Sequence, residues 1–264
     1  MIKVTLKYPI ILVHGIAAKD SNLFWGRIPK RLEEAGIQVF RGNTDSWGSI
    51  ESNALSLKKT VDYVLNTCQT EKVNLIAHSK GGLDSRYLIS TLGYHTKIAS
   101  LTTISTPHHG AEIVDSLFNR KPLYTPFARK IVDIVMKLYG DKSPDPYKIL
   151  SELRTENMIH FNQQNPNHKD VYYCSYHSIM KNALDDLSYS LSYLYIHRQA
   201  GDNDGIVSLR SSQWGKEFTL IQNSHTRNGI SHAEILDIKR QTISGVDIPM
   251  EYVKMAQKLA EKGF

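Results

Sequence analysis

At 264 residues the chain suits one large domain or two small ones, since a single hydrophobic core rarely grows beyond about 250–300 residues. Hydrophobic residues make up 41% and charged residues 22%, a globular balance that excludes disorder and fibres. No run approaches the roughly eighteen apolar residues of a membrane span, and the net charge of +6 comes from scattered lysines and arginines, with no cluster fit to grip nucleic acid. Two cysteines, Cys68 and Cys174, are too few for a disulfide scaffold.

Lys3 and Lys7 ahead of Tyr8 to Val13, with Ala17-Ala18 beyond, loosely imitate a signal peptide. The apolar run is too short, however, and His14 and Gly15 interrupt it. It reads as a buried strand opening the fold, so the chain is expected to be cytoplasmic, or exported without a recognisable N-terminal signal. Trp25, Ile28, Leu32 and Ala35 then fall at helical spacing, with Gly36 as the stop. Val39-Phe40 is a short strand, and Ile50, Ala54, Leu57, Val61, Val64 and Leu65 draw one face of a long helix. Val73 to Ala77 is another buried strand, followed by a helix holding Leu83, Tyr87 and Leu88, and Ile98 to Ile104 is a fourth strand. Strands alternating with helices in this way point to βαβ units and a mostly parallel sheet covered on both faces.

From about 111 to 168 no strand separates the helical segments, which marks a helical insertion. Within it, Phe127, Ile131, Ile134 and Leu138 form an amphipathic pattern, readable either as a lid opening at a lipid interface or as ordinary packed structure. Val171 to Tyr173, Tyr193 to Ile196 and Phe218 to Ile221 are further strand candidates, and Ile248, Tyr252, Met255 and Leu259 mark a closing helix. No linker divides the chain, so residues 1–264 are expected to form one domain.

The segment Val73-Asn74-Leu75-Ile76-Ala77-His78-Ser79-Lys80-Gly81-Gly82 runs from a strand through a tight turn into a helix. Small residues two positions either side of the serine, here Ala77 and Gly81, are what a turn this sharp requires. Ser79 is thereby lifted clear at the sheet edge, near a helix N-terminus whose free N–H groups favour a developing oxyanion. Upstream, Ile10 to Gly15 is a strand ending in His-Gly. Such a strand offers the next backbone N–H, that of Ile16, as one oxyanion donor, and the N–H of Lys80 as the other.

These segments, together with Ser105-Thr106-Pro107-His108-His109-Gly110-Ala111-Glu112 and Asn203-Asp204-Gly205-Ile206-Val207, resemble the α/β-hydrolases, and within them the bacterial triacylglycerol lipases. The likeness runs from Tyr8 to the C-terminal helix and is loosest in the insertion. It implies an α/β-hydrolase fold, ester hydrolysis through a Ser-His-Asp triad and a mobile helical lid, with no cofactor for the chemistry. The alternatives are acyl transfer or thioester hydrolysis on the same triad, or a catalytically silent ligand sensor.

In this fold the triad follows the chain order serine, acid, histidine. Asp204-Gly205-x-Val matches the lipase acid motif, with Asp202 as the alternative. His232, in Ser231-His232-Ala233-Glu234, resembles the family's histidine loop. The interval from Asp204 is about six residues longer than the family pattern suggests, and His225 fits that interval better while its surroundings fit worse. His14, Phe118, Leu123 and Phe127 are candidates to touch substrate, and His108 and His109 to line the cleft. Some relatives carry a structural calcium beside the catalytic histidine; Asp185 and Glu234 stand where its carboxylates would be, glutamate replacing the usual aspartate. Arg210 occupies the place of a cysteine that pairs near Cys174 in secreted relatives, so both thiols are expected to be free. The expected partners are a small-molecule or lipid ester and a transient lipid interface, with oligomeric state left open.

Overall fold

The computed structural model describes residues 3–119 and 140–264. Its strands are β1 (Ile10–Val13), β2 (Val39–Arg41), β3 (Val73–His78), β4 (Ile98–Ile104), β5 (Tyr172–Ser178) and β6 (Glu217–Ile221). They form one sheet in the order β2-β1-β3-β4-β5-β6, every pairing parallel. The helices of the first half are α1 (Asn22–Trp25), α2 (Ile28–Glu34), α3 (Ile50–Cys68), α4 (Gly81–Ile89) and α5 (Glu112–Asn119). Those that follow are α6 (Pro146–Glu152), α7 (Thr155–Gln164), α8 (Ser190–Ala200), α9 (Leu209–Ser212) and α10 (Ile248–Glu261).

Successive side chains of a strand point to opposite faces, so a strand buried on both sides is expected to be largely apolar. β1 obeys this. Ile10 and Leu12 enter one cluster with Trp25, Ile28, Leu32, Tyr252 and Met255, while Ile11 and Val13 enter another with Ala54, Leu57, Val61 and Val64. One face of the sheet is thus covered by α2 and α10, the other by α3 and α4. The register of α3 is set at both ends: the Ser49 hydroxyl accepts from the Ser52 amide, and Gln69 closes the helix with φ of 50°.

Two expectations are corrected. Tyr193 to Ile196 is not a strand but lies inside α8, where Tyr193 and Ile196 are buried and Leu191 and Leu194 exposed, a spacing of three that belongs to a helix. The helix expected across Trp25 to Ala35 breaks in two at Gly26, whose φ is 50°. The break lets Arg27 grip Asp237: its amide and Nε donate to Oδ2 at 2.7 and 2.8 Å, and Nη2 donates to Oδ1 at 2.7 Å.

Of the insertion, α5, α6 and α7 are described, and the amphipathic segment Phe127 to Leu138 lies outside the described residues. α7 is pinned to α4 by the buried Arg86, which donates to Asn162 Oδ1 at 2.7 Å and to the Asn165 carbonyl at 2.8 Å. The Arg86 guanidinium also stacks 3.7 Å from the Trp214 ring. Among the described residues no helix is long and apolar enough to cross a membrane, and Cys68 and Cys174 are both free.

A Cβ at Gly26 would lie 2.2 Å from the Asp237 carbonyl oxygen, in a backbone region that disfavours side chains anyway. Gly26→Ala is therefore expected to lower stability by about 2 kcal/mol or more, read as a reduced midpoint in urea unfolding; an unchanged midpoint would show that the α1–α2 break is not required.

Candidate active site

The order of β2, β1 and β3 puts a change of winding direction between β1 and β3, and ligands of open parallel sheets gather outside the carboxyl ends at such a point. The loops leaving these two strands meet in close contact. A Cβ on Gly15 would lie 2.6 Å from Ser79 Cβ, and one on Gly81 would lie 2.5 Å from the His14 carbonyl oxygen. Only glycine lets the two turns approach this far. Between them Ser79 adopts φ of 53°, a left-handed conformation that a non-glycine residue keeps only when its surroundings enforce it. They do: its amide donates to the Ile104 carbonyl at 2.8 Å, and its own carbonyl accepts from Thr106 Oγ1 at 2.7 Å.

The Ser79 hydroxyl lies 3.0 Å from His232 Nε2, and His232 Nδ1 lies 2.7 Å from Asp204 Oδ2. Because a carboxylate only accepts, Nδ1 carries the proton, which leaves Nε2 free to accept from the hydroxyl. The second oxygen of Asp204 accepts from the Ile206 and Val207 amides at 3.0 and 2.8 Å. Burial alone would raise the Asp204 pKa. The His232 imidazole, its hydrogen bond, His177 and the Val207 amide outweigh burial and hold the carboxyl well below the usual range. The His232 amide also donates to the Asp204 carbonyl at 2.8 Å, so backbone and side chain hold the same pair.

Among the described residues, neither the Ile16 nor the Lys80 amide donates to a protein acceptor. Lys80 is nonetheless fixed. Its buried ammonium meets Asp84 Oδ1 at 2.6 Å, and Asp84 Oδ2 accepts from Asn53, which also donates to the Asp45 carbonyl. Burial raises the Asp84 pKa against the pull of Lys80. This network lay outside the motif, although a lysine and an aspartate four apart on one helix is a readable sign of an ion pair.

The other candidates divide. His225 is exposed, its amide bonded to Asn223 within its own loop, and does not join the cluster. Asp202 instead accepts the Leu209 amide through its carbonyl. His14 does not line an opening: it is buried, with Nδ1 against the Gly15 carbonyl at 2.8 Å and Nε2 against that of Thr44 at 3.1 Å. His108 is likewise corrected, because it is buried against Thr103 Oγ1 and the Trp214 ring. The side chain of Phe118 and all of Leu123 and Phe127 lie outside the described residues.

Two further histidines surround the pair: His78, at the end of the strand that leads into the Ser79 turn, and His177, which precedes Asp204 in the chain. His78 faces the His232 carbonyl at 3.1 Å through Nε2, with ring centroids 4.6 Å apart. His177, at the end of β5, places Nδ1 3.2 Å from Ser105 Oγ and 3.9 Å from Asp204 Oδ2. Both are buried, and burial is the main reason their pKa values are depressed.

Asp185 and Glu234 do not fit a calcium ion. Asp185 Oδ2 accepts the amides of Lys181, Asn182 and Gly229 at 2.6, 3.2 and 2.8 Å, and Oδ1 accepts from Asn182 Nδ2 at 2.7 Å. Glu234 Oε2 accepts the Ser231 amide at 3.0 Å, and Oε1 meets the Lys239 ammonium at 2.5 Å. Lone pairs already directed at N–H donors are not available to a cation. Among the described residues, no group of three or more His, Cys, Asp or Glu gathers as a metal site.

The chain is similar to known proteins over most of its length. A family model described as the alpha/beta hydrolase fold matches residues 8–128. A triacylglycerol lipase of Saccharomyces cerevisiae is 31% identical over 264 aligned residues, covering 91% of this chain and 74% of that protein. One from Pseudomonas fragi is 27% identical, covering 98% of each. In three dimensions the chain superposes on the mature form of a Bacillus licheniformis lipase with a TM-score of 0.69 and 18% identity, over 96% of this chain and 94% of that one.

The buried imidazoles carry a pH signature. The His177 pKa falls from 6.5 to about 4, by burial and by repulsion from His232, against the pull of Asp204. The unfolded chain binds that proton near pH 6.5, so the contribution to stability is complete above that pH and is lost as pH falls towards 4. The melting midpoint is expected to drop between pH 7 and pH 5, and His177→Gln to flatten the drop by up to about 2 kcal/mol; a pH profile identical to that of the unsubstituted chain would contradict it.

Proposed function

The chain belongs to the α/β-hydrolase superfamily as a lipase-like carboxylic ester hydrolase, and from that premise we propose that Ser79, His232 and Asp204 are its nucleophile, general base and orienting acid. The reading rests above all on one observation, the continuous path from the Ser79 hydroxyl through His232 to the buried Asp204 carboxylate. His232 Nε2 takes the hydroxyl proton as Oγ attacks the ester carbonyl, and Asp204 stabilises the imidazolium that results. The Ile16 and Lys80 amides receive the oxyanion, a contribution of about 3–4 kcal/mol per donor in comparable sites. His232 then protonates the departing alcohol, leaving an acyl-enzyme that a water, activated by the same imidazole, hydrolyses.

The substrate class we propose is a neutral ester with an apolar acyl chain, acylglycerols included, met at a transient lipid surface. Its support is the set of relatives named triacylglycerol lipases, together with the described surroundings of Ser79, where burial depresses the pKa values of His78 and His177 and Lys80 is paired with Asp84. Neutral buried imidazoles and a lysine already paired with a carboxylate do not select a charged acyl group.

Rates on p-nitrophenyl esters from acetate to palmitate test the activity and the depth of the acyl site together. Ser79→Ala is expected to reduce turnover at least about a thousandfold with the melting midpoint preserved, and Asp204→Asn to act in the same direction. A fluorophosphonate probe should label Ser79 in the unsubstituted chain. Labelling elsewhere, or turnover surviving in Ser79→Ala, would refute the assignment.

A further inference from the structure

The loop between β6 and His232 is organised by ammonium groups. Lys181 Nζ donates to the carbonyls of Asn223 and Thr226 at 2.8 and 2.7 Å, two oxygens converging on one cation. The four residues leading to and including the base are then held amide by amide. Gly229 donates to Asp185 Oδ2 at 2.8 Å, Ile230 to the Ile179 carbonyl at 2.8 Å, Ser231 to Glu234 Oε2 at 3.0 Å and His232 to the Asp204 carbonyl at 2.8 Å. The Ser231 hydroxyl adds a bond to Asp186 Oδ2 at 2.8 Å.

Two of these five acceptors belong to one carboxyl-rich turn, and a third, Glu234, lies 4% exposed and needs a counter-charge. Lys239 supplies it at 2.5 Å, reaching back from five residues downstream with its own side chain about half exposed. Glu234 raises the Lys239 pKa, chiefly through the hydrogen bond, with Asp186 adding to it. A divalent ion bridging this turn and the histidine loop would have to compete with the amides on Asp185 Oδ2 and displace the Lys239 ammonium from Glu234, or lie beside it against charge repulsion.

We propose that Lys181 and Lys239 do in this chain the work of a divalent cation: they are positioning residues that fix the loop carrying His232, so its alignment on Ser79 is independent of calcium. Lys181 gathers the outer part of the loop through the Asn223 and Thr226 carbonyls. Lys239 neutralises Glu234, which holds the amide next to the base. Removing Lys239 strands a buried carboxylate beside His232, and misplacing a catalytic group by a fraction of an ångström lowers turnover steeply.

The functional half of this inference rests on the proposed role of His232; the metal half does not. Melting midpoints of the unsubstituted chain and of Ser79→Ala are to be compared in chelator and in millimolar calcium, with p-nitrophenyl butyrate turnover measured alongside for the unsubstituted chain. The expected result is no change in either quantity. A midpoint that rises with calcium, or falls with chelator, overturns the proposal even if Ser79 proves not to be the nucleophile. Lys239→Met is expected to lower kcat roughly tenfold or more with KM little changed, and Lys239→Arg to restore it, because a guanidinium keeps the charge. Lys181→Met serves as the second variant, with the same expected direction. Full activity in either methionine variant overturns the positioning role.

Discussion

Everything at the site depends on how closely the turn after β3 can approach the loop after β1. The two strands pair residue by residue, Ile10 with Asn74 through Val13 with Ala77, so the segments leaving them have no lateral room. Side chains at positions 15 and 81 would collide with backbone or with Ser79, and their absence allows the contact. Ser79 pays for the geometry with a positive φ, a strain of order 1–3 kcal/mol that is tolerable because hydrogen bonds from β4 and Thr106 hold both sides of its peptide unit. The outcome is a hydroxyl held by backbone packing at the carboxyl end of β3, an interior strand.

Electrostatics then decide what the hydroxyl can do. Asp204 is fully buried, a position that would neutralise an unassisted carboxyl, yet its imidazole neighbours and two amides keep it ionised. The histidines around it are divided by depth: His78 and His177 are too deeply buried to carry charge, so they act as neutral dipoles packed against the pair. Lys80 and Asp84 cancel one another directly after the Ser79 turn. A buried ion pair of this kind adds little net stability but resists rearrangement, because parting the charges leaves each uncompensated. The same logic extends outward to Glu234 and Lys239, where a lysine completes a buried carboxylate.

The strands were readable where burial on both faces demanded an unbroken apolar run, as in Ile10 to Val13, or left only small hydroxyl residues among the apolar ones, as in Ile98 to Ile104. β5 was only half legible: it continues through Cys174, Ser175, Tyr176, His177 and Ser178, polar residues that are buried because they approach the site. Tyr193 to Ile196 misled because short aromatic and β-branched runs suit a strand and a helix equally, and only the exposed leucines between them reveal the helix. The break at Gly26 had a weak local sign in the glycine itself and in Pro29 just beyond it; what fixes it is Asp237, more than two hundred residues away in sequence.

What the sequence by itself determined is local: the tight turn at Ser79, with its small neighbours, and the succession of strands and helices that makes a parallel sheet. Both follow from rules acting within a few residues, namely steric exclusion in a turn and hydrophobic periodicity along an element. The tertiary structure alone decided which imidazole meets the hydroxyl, which buried histidines stay neutral, and which ammonium groups hold the loop of His232. Those are matters of distance and burial between segments remote along the chain, and electrostatic energy depends on spatial separation and surrounding dielectric, which residue order does not encode directly.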